Sequence, residues 1–165
     1  MNLQRLLPIA ALLASTVHAA VFTPDTTVDT VDAMPGDGLC ADMGGHCSLR
    51  AAMQESNALA GADTIVLDVG AYALTRAGSD EDASASGDLD VDDDLVLQGA
   101  GAEATIIDGG ALDRVLDIRP ATSARPVRIE GLTLRNGALG PGSQPPATKH
   151  GAGLRVGAGT NVELA

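Results

Sequence analysis

Aromatic side chains are nearly absent: Phe22 and Tyr72 stand alone, and there is no tryptophan. A core without large rings has to be filled by layers of similar aliphatic residues, as stacked repeats do. A carbohydrate-binding face built on exposed rings loses support for the same reason. Positive charge is scarce too. Ten Lys and Arg stand against 22 Asp and Glu, a formal net charge of −12. Such a surface repels phosphate backbones and anionic lipid, which argues against nucleic-acid and membrane-surface partners. No apolar run is long enough for an integral membrane span.

The one apolar stretch lies at the N-terminus. "MNLQRLLPIAALLASTVHAA" has a single positive charge at Arg5, an apolar core from Leu6 to Ala14, and small residues at Val17, Ala19 and Ala20. That is the layout of a secretory signal peptide, with cleavage expected after Ala19 or Ala20. Pro8 interrupts the competing reading, a buried core helix. Removing residues 1–20 takes away one base and no acid, so the net charge moves from −12 to −13. The remaining chain is enough for one small domain, secreted or held at the cell surface.

Only two cysteines are present, Cys40 and Cys47, separated by "ADMGGH". In an exported chain this spacing reads as a local disulfide, with Gly44 and Gly45 allowing the tight turn. The competing reading is a metal site of Cys40, His46, Cys47 and Asp42. It is weakened because His46 adjoins Cys47 and no second pair completes a zinc set. After Cys47 the composition changes to helix formers. Ser48 is suited to N-cap a helix through "LRAAMQESNALA", ending before Gly61, with Leu49, Ala52, Met53 and Ser56 on one narrow face. So short a helix needs a surface to lie on.

Short strands follow: "DTIVLDVGAYALT", "DDDLVLQGAGAEATIIDGG", "DRVLDIRP", "RPVRIEGLTLRNG" and "GAGLRVGAGTNVELA", broken at their corners by Gly, Asp or Asn. Leu95 and Val127 open similar strands 32 residues apart, and Val162 follows 35 residues later. That phase favours a right-handed parallel β-helix of three-sided coils over a sandwich or jelly roll. The helix would cover the unpaired edge of the first coil. The expected organisation is a signal peptide over 1–20, an N-terminal cap over 21–63, and incomplete β-helix coils over 64–165.

These residues resemble a family. "VDTVDAMPGDGLCADMGGHCSLRAAMQESNALAGADTIVLDVGAYALT" is similar to the CSLREA domain, an N-terminal segment of exported bacterial proteins with right-handed parallel β-helix repeats of the pectate-lyase-like fold. The likeness continues through "DLVLQGAGAEATIIDGG", "DRVLDI" and "IEGLTLRNG" to "GAGLRV", which resembles the Gly-rich "GGGI" corner. Where the family motif has Glu, this chain has Ala51. At the third helical position a Glu would complete a capping box with Ser48, so Ala51→Glu is expected to stabilise the domain by about 0.5–1 kcal/mol.

The acid-rich insert "GSDEDASASGDLDVDDDL" contains Asp80, Glu81, Asp82, Asp88, Asp90, Asp92, Asp93 and Asp94. These could supply oxygen ligands for calcium, but neither EF-hand nor nonapeptide calcium spacing is present, and a flexible, solvated loop is the favoured reading. Asp108, Asp113, Asp117, Arg114 and His150 are the candidates for polysaccharide-cleaving chemistry. The acids fall at corners or alternate with core aliphatics, where Asx-turns and solubility explain them, so no catalytic, cofactor or metal residue is assigned. "NVELA" opens a coil that nothing after it completes, which suggests the beginning of a longer protein and self-association through the open end. The expected function is a structural or adhesion-type module, with extracellular polysaccharide or cell-surface components as partners. The alternative is the N-terminal part of a polysaccharide lyase or hydrolase with its active site on later coils.

Overall fold

The computed structural model describes residues 19–79, 81–139 and 151–165. The stretch expected to be a signal peptide, apart from Ala19 and Ala20, lies outside these residues together with Asp80 and His150. The described chain is mostly strands in parallel sheets, with one short helix. After β1 (Val21–Phe22) come α1 (Leu49–Ala58), β2 (Asp63–Val66), β3 (Gly70–Ala73) and β4 (Leu89–Val91). Then follow β5 (Leu95–Gln98), β6 (Thr105–Asp108), β7 (Leu116–Ile118) and β8 (Arg125–Glu130). The last strands are β9 (Thr133–Arg135), β10 (Leu154–Val156) and β11 (Thr160–Leu164).

The chain visits three sheets in rotation. The first is ordered β1-β2-β5-β8-β11, the second β3-β6-β9 and the third β4-β7-β10, and every pairing is parallel. Residues spaced by the sequence phase are register partners: Leu95 lies opposite Val127, and Val127 opposite Val162.

Parallel register turns the aliphatic residues into ladders. Ile65, Leu97 and Ile129 stack in the first sheet, Tyr72, Ile107 and Leu134 in the second, and Leu89, Leu116 and Leu154 in the third. Most of these side chains are buried in a single cluster, and each fully buried aliphatic contributes on the order of 1.5–3 kcal/mol. At the corner leaving the first sheet the backbones approach closely. Gly131 has φ +62°, and a Cβ there would lie 2.6 Å from the Gly99 carbonyl oxygen, so only glycine fits.

The N-terminal side is closed by several devices. β1 pairs with the edge of β2, while α1 packs against β2 and β4. The Asn57 amide side chain donates to Asp90 O (2.8 Å) and accepts from Asp92 N (2.8 Å), serving backbone groups on and just after the edge strand β4. Cys40 and Cys47 form a disulfide immediately before the helix. Ser48 is the N-cap: its Oγ accepts from Ala51 N at 3.0 Å and donates to Thr30 O at 2.6 Å. No described helix is long and apolar enough to cross a membrane.

Two sequence expectations need correction. The acid-rich insert is not a solvated loop: β4 lies within it, and Ser84, Asp88 and Asp90 are buried because residues 81–88 fold back over the sheet. The helix is also more deeply buried than a narrow stripe implies, since Arg50, Ala51 and Glu55 are covered along with Leu49, Ala52 and Met53. Glu55 accepts backbone N–H bonds from Gly36 (2.6 Å) and Gly38, which fixes the turn just ahead of the disulfide to the helix. Ala51 has no exposed surface. A Glu there would be forced into packed space, so the expected gain from a capping box reverses. Ala51→Glu should lose about 1–3 kcal/mol in a thermal or urea melt, and an unchanged or raised midpoint would show that the site accommodates the longer side chain.

Candidate functional site

The third sheet carries the densest array of ionisable groups. Its strands alternate inward aliphatics with one outward residue: Leu89-Asp90-Val91, Leu116-Asp117-Ile118 and Leu154-Arg155-Val156. Register places Asp90 beside Asp117, and Asp117 beside Arg155. Neighbouring strands are only about 4.8 Å apart, so these side chains form a charge ladder. Asp88, Asp113 and Arg114 join it from the segments leading into β4 and β7.

Arg114 sits among three acids. Its Nη1 is 3.8 Å from Asp88 Oδ2, 3.9 Å from Asp113 Oδ1 and 3.9 Å from Asp117 Oδ2. Those distances give Coulomb attraction without hydrogen bonds, and Arg114 Nε has no partner. Asp117 is better served, because Arg155 Nε donates to its Oδ1 at 2.6 Å and Arg155 Nη2 lies against its Oδ2. That hydrogen bond leads the effects that raise the Arg155 guanidinium above its ordinary range.

Asp90 is fully buried. Its Oδ2 accepts from Ser84 N (3.0 Å), while Oδ1 has no hydrogen-bond partner. The Ser84 hydroxyl accepts from Asp90 N at 2.7 Å, which ties the fold-back segment to the strand. Burial pushes the Asp90 carboxyl up to about 7, only partly opposed by the Ser84 N–H, with the Asp88 charge adding to the rise. Burial likewise pushes Asp88 up to about 6, helped by the Asp113 and Asp117 charges.

Arg50 holds this arrangement in place, and its guanidinium is fully buried. Nε donates to Asp29 Oδ1 at 2.6 Å, and Nη2 to Asp29 Oδ2 at 3.3 Å and Gly87 O at 2.8 Å. Nη1 donates to Ser84 O at 3.0 Å and Asp88 O at 3.1 Å. All five donors of the fork are therefore used. Asp29 Oδ2 also accepts from Thr75 N (2.7 Å) and Arg76 N (3.0 Å) just after β3. In the sequence Arg50 is only one letter of a helix motif, because most of its partners are backbone carbonyls more than 30 residues away.

The sequence candidates are thus distributed unevenly. Asp113, Asp117 and Arg114 come together with Asp88 and Asp90, rather than serving as exposed corners. Asp108 stands apart on the second sheet, accepting from Arg135 Nε (2.8 Å) and Asn136 Nδ2 (3.0 Å). The Gly110 N–H, then Asn136 and Arg135, hold its carboxyl below the usual range. Cys40 and Cys47 spend both sulfurs on the disulfide, and Asp42 Oδ1 accepts from Gly44 N and His46 N, so the alternative metal set is not assembled. Among the described residues no group of three or more His, Cys, Asp or Glu is placed to hold a metal ion, which leaves the calcium reading of the insert without a ligand cluster there. An open groove of about 430 Å³ runs along the first sheet, lined by Val96, Pro126, Arg128, Asn161 and Glu163. No family model, curated protein or solved structure matches the chain.

Two members of the buried array, Asp88 and Asp90, are placed to take up protons on folding. Asp88, Asp90, Asp113 and Asp117 are each 3 % exposed or less, which leaves a substrate almost no surface to touch. Folding holds Asp88 and Asp90 above the ordinary carboxylate value of about 3.9, so the native state takes up protons that the unfolded chain has released. Stability therefore falls as pH rises through about 6 to 7. Between pH 5 and 8 the Asp90 share is about 2–3 kcal/mol, and urea titrations of Asp90→Asn should show a correspondingly flatter pH dependence. Equal pH slopes in the two proteins would mean that Asp90 is ionised throughout. Arg50→Lys should cost about 2–4 kcal/mol by the same measurement, because an ammonium cannot replace the five-donor fork.

Proposed function

We propose that this chain is a secreted or cell-surface module of the right-handed parallel β-helix type, with a structural or adhesive role and a CSLREA-like N-terminal cap. One observation carries the reading: three parallel sheets are visited in rotation, and at their N-terminal side a two-residue strand pairs with β2 while a disulfide-preceded helix packs against β2 and β4. A stack of this kind is a rigid spacer whose uncovered outer faces, the first sheet among them, are free to display contact residues. The disulfide is compatible with an oxidising location outside the cytosol. The motif "CSLR" supports the family assignment because Ser48 caps the helix and Arg50 anchors the fold-back segment. Extracellular polysaccharide or other cell-surface components are the partners proposed for the outer faces, and the groove beside Arg128 and Glu163 is one place for such a contact.

Expression of the full chain in a bacterial host, followed by fractionation and N-terminal mass spectrometry, tests this. The expected result is a shortened chain outside the cytosol that is retained on whole cells or on polysaccharide and releases no sugar products. An uncleaved cytosolic chain would overturn the export reading. Release of oligosaccharides would replace the adhesive role with an enzymatic one.

A further inference from the structure

Asp63 is an unusual residue to find on the inward side of β2. It is fully buried, at a position where the register partner on β5 is Leu95. Its Oδ1 accepts from the backbone N–H of Ala20 at 2.7 Å, and its Oδ2 has no hydrogen-bond partner. No salt bridge forms to it from any described cation. Burial is the main effect raising its carboxyl above the ordinary value, opposed by the Ala20 N–H; the like charge of Asp93 adds to the rise and the Ser56 hydroxyl acts against it. A buried carboxylate with no cationic partner, and with neither the Ser56 hydroxyl nor any other group within hydrogen-bond distance of its second oxygen, is costly as it stands.

Ala20 is held in place independently of Asp63. Its carbonyl accepts from Thr64 N at 2.9 Å, and β1 continues from it in register along β2. Val17 and Ala19 are small residues at the two positions ahead of the Ala19–Ala20 bond that an export peptidase reads. The atom bonded to Asp63 is therefore the nitrogen that cleavage after Ala19 would set free.

We propose that cleavage between Ala19 and Ala20 converts the Ala20 amide into an α-ammonium that forms an ion pair with the buried Asp63 carboxylate, so that removal of the leader supplies the counter-ion this carboxylate otherwise lacks. The step is a hydrolysis. Water adds across the amide bond, its oxygen going to the Ala19 carbonyl carbon and one hydrogen to the Ala20 nitrogen. The acid released on Ala19 gives up a proton, and the amine takes one up. One N–H donor becomes three, enough to serve both Asp63 oxygens, and a neutral donor becomes a cation 2.7 Å from the carboxylate. Before cleavage the same carboxylate has only neutral partners, so its charge is balanced only in the processed chain.

This inference rests on the export reading, and the test separates the two. The chain is exported from a bacterial host, its new N-terminus is identified by mass spectrometry, and the folded product is acylated near neutral pH. Modification of the α-amine is followed separately from that of Lys149, the one lysine of the chain. With an N-terminus at Ala20, the α-amine should react about tenfold or more slowly than in the urea-unfolded protein, since pairing raises its pKa by about a unit or more. Asp63→Asn should restore fast reaction. If that variant does not fold, a chain whose cleavage site is moved to leave one extra residue before Ala20 serves instead, and its displaced α-amine should react fast. An Ala20 α-amine that reacts as fast folded as unfolded overturns the ion pair while leaving export intact. A new N-terminus at Val21 also overturns it, and an uncleaved chain removes the export reading on which it depends.

Discussion

The fold of the N-terminal half hangs on one buried guanidinium. Arg50 gives all five of its donors to Asp29 and to the carbonyls of Ser84, Gly87 and Asp88. Four separate pieces of chain meet there: the segment before the disulfide, the helix, the exit from β3 through Asp29, and the fold-back over β4. The helix adds Leu49, Ala52 and Met53 to the core, but the segment around Asp29 and the fold-back at residues 84–88 bring few apolar side chains of their own, so hydrophobic burial does little to fix those two against the helix. A planar fork with fixed donor directions does so by geometry, at a desolvation cost that full hydrogen bonding offsets.

Parallel stacking imposes a second constraint on charge. Every outward residue has a register partner on the next strand, so like charges would pile up in columns unless their signs alternate. In all three sheets the final pairing meets this condition: Arg128 beside Glu163, Asp108 beside Arg135, and Asp117 beside Arg155. Asp90 beside Asp117 breaks the rule. It does so where the fold-back segment covers the strand, and burial then shifts the load onto proton uptake rather than onto a counter-ion.

The sequence made some of this legible and concealed the rest. Aliphatic ladders repeat at nearly constant spacing, so Leu95, Val127 and Val162 announce the stacking directly. Ser48 before a Gly-free, Pro-free run marks the helix start, and two cysteines with two glycines between them admit a local bridge. Asp88 and Asp90 are hidden because alternation of acids with Ser, Ala and Gly looks the same whether a loop is solvated or folded back on a strand. Only Arg50, more than 30 residues earlier, tells the two apart. Asp113 and Asp117 are hidden for a related reason: period-two alternation shows which side of a strand a residue faces, but not whether that side is later covered.

The spacing between paired strands differs from sheet to sheet. In the first sheet successive partners are 32, 32 and 35 residues apart, while in the third they are 27 and then 38. Extra length falls ahead of the third sheet, between β3 and β4 and again between β9 and β10. Length can be added at that corner without shifting any ladder, because registers are set strand against strand and not by the length of the path between them. The third-sheet corner is thus the molecule's splice point, where new sequence can be inserted while the stack keeps its pitch.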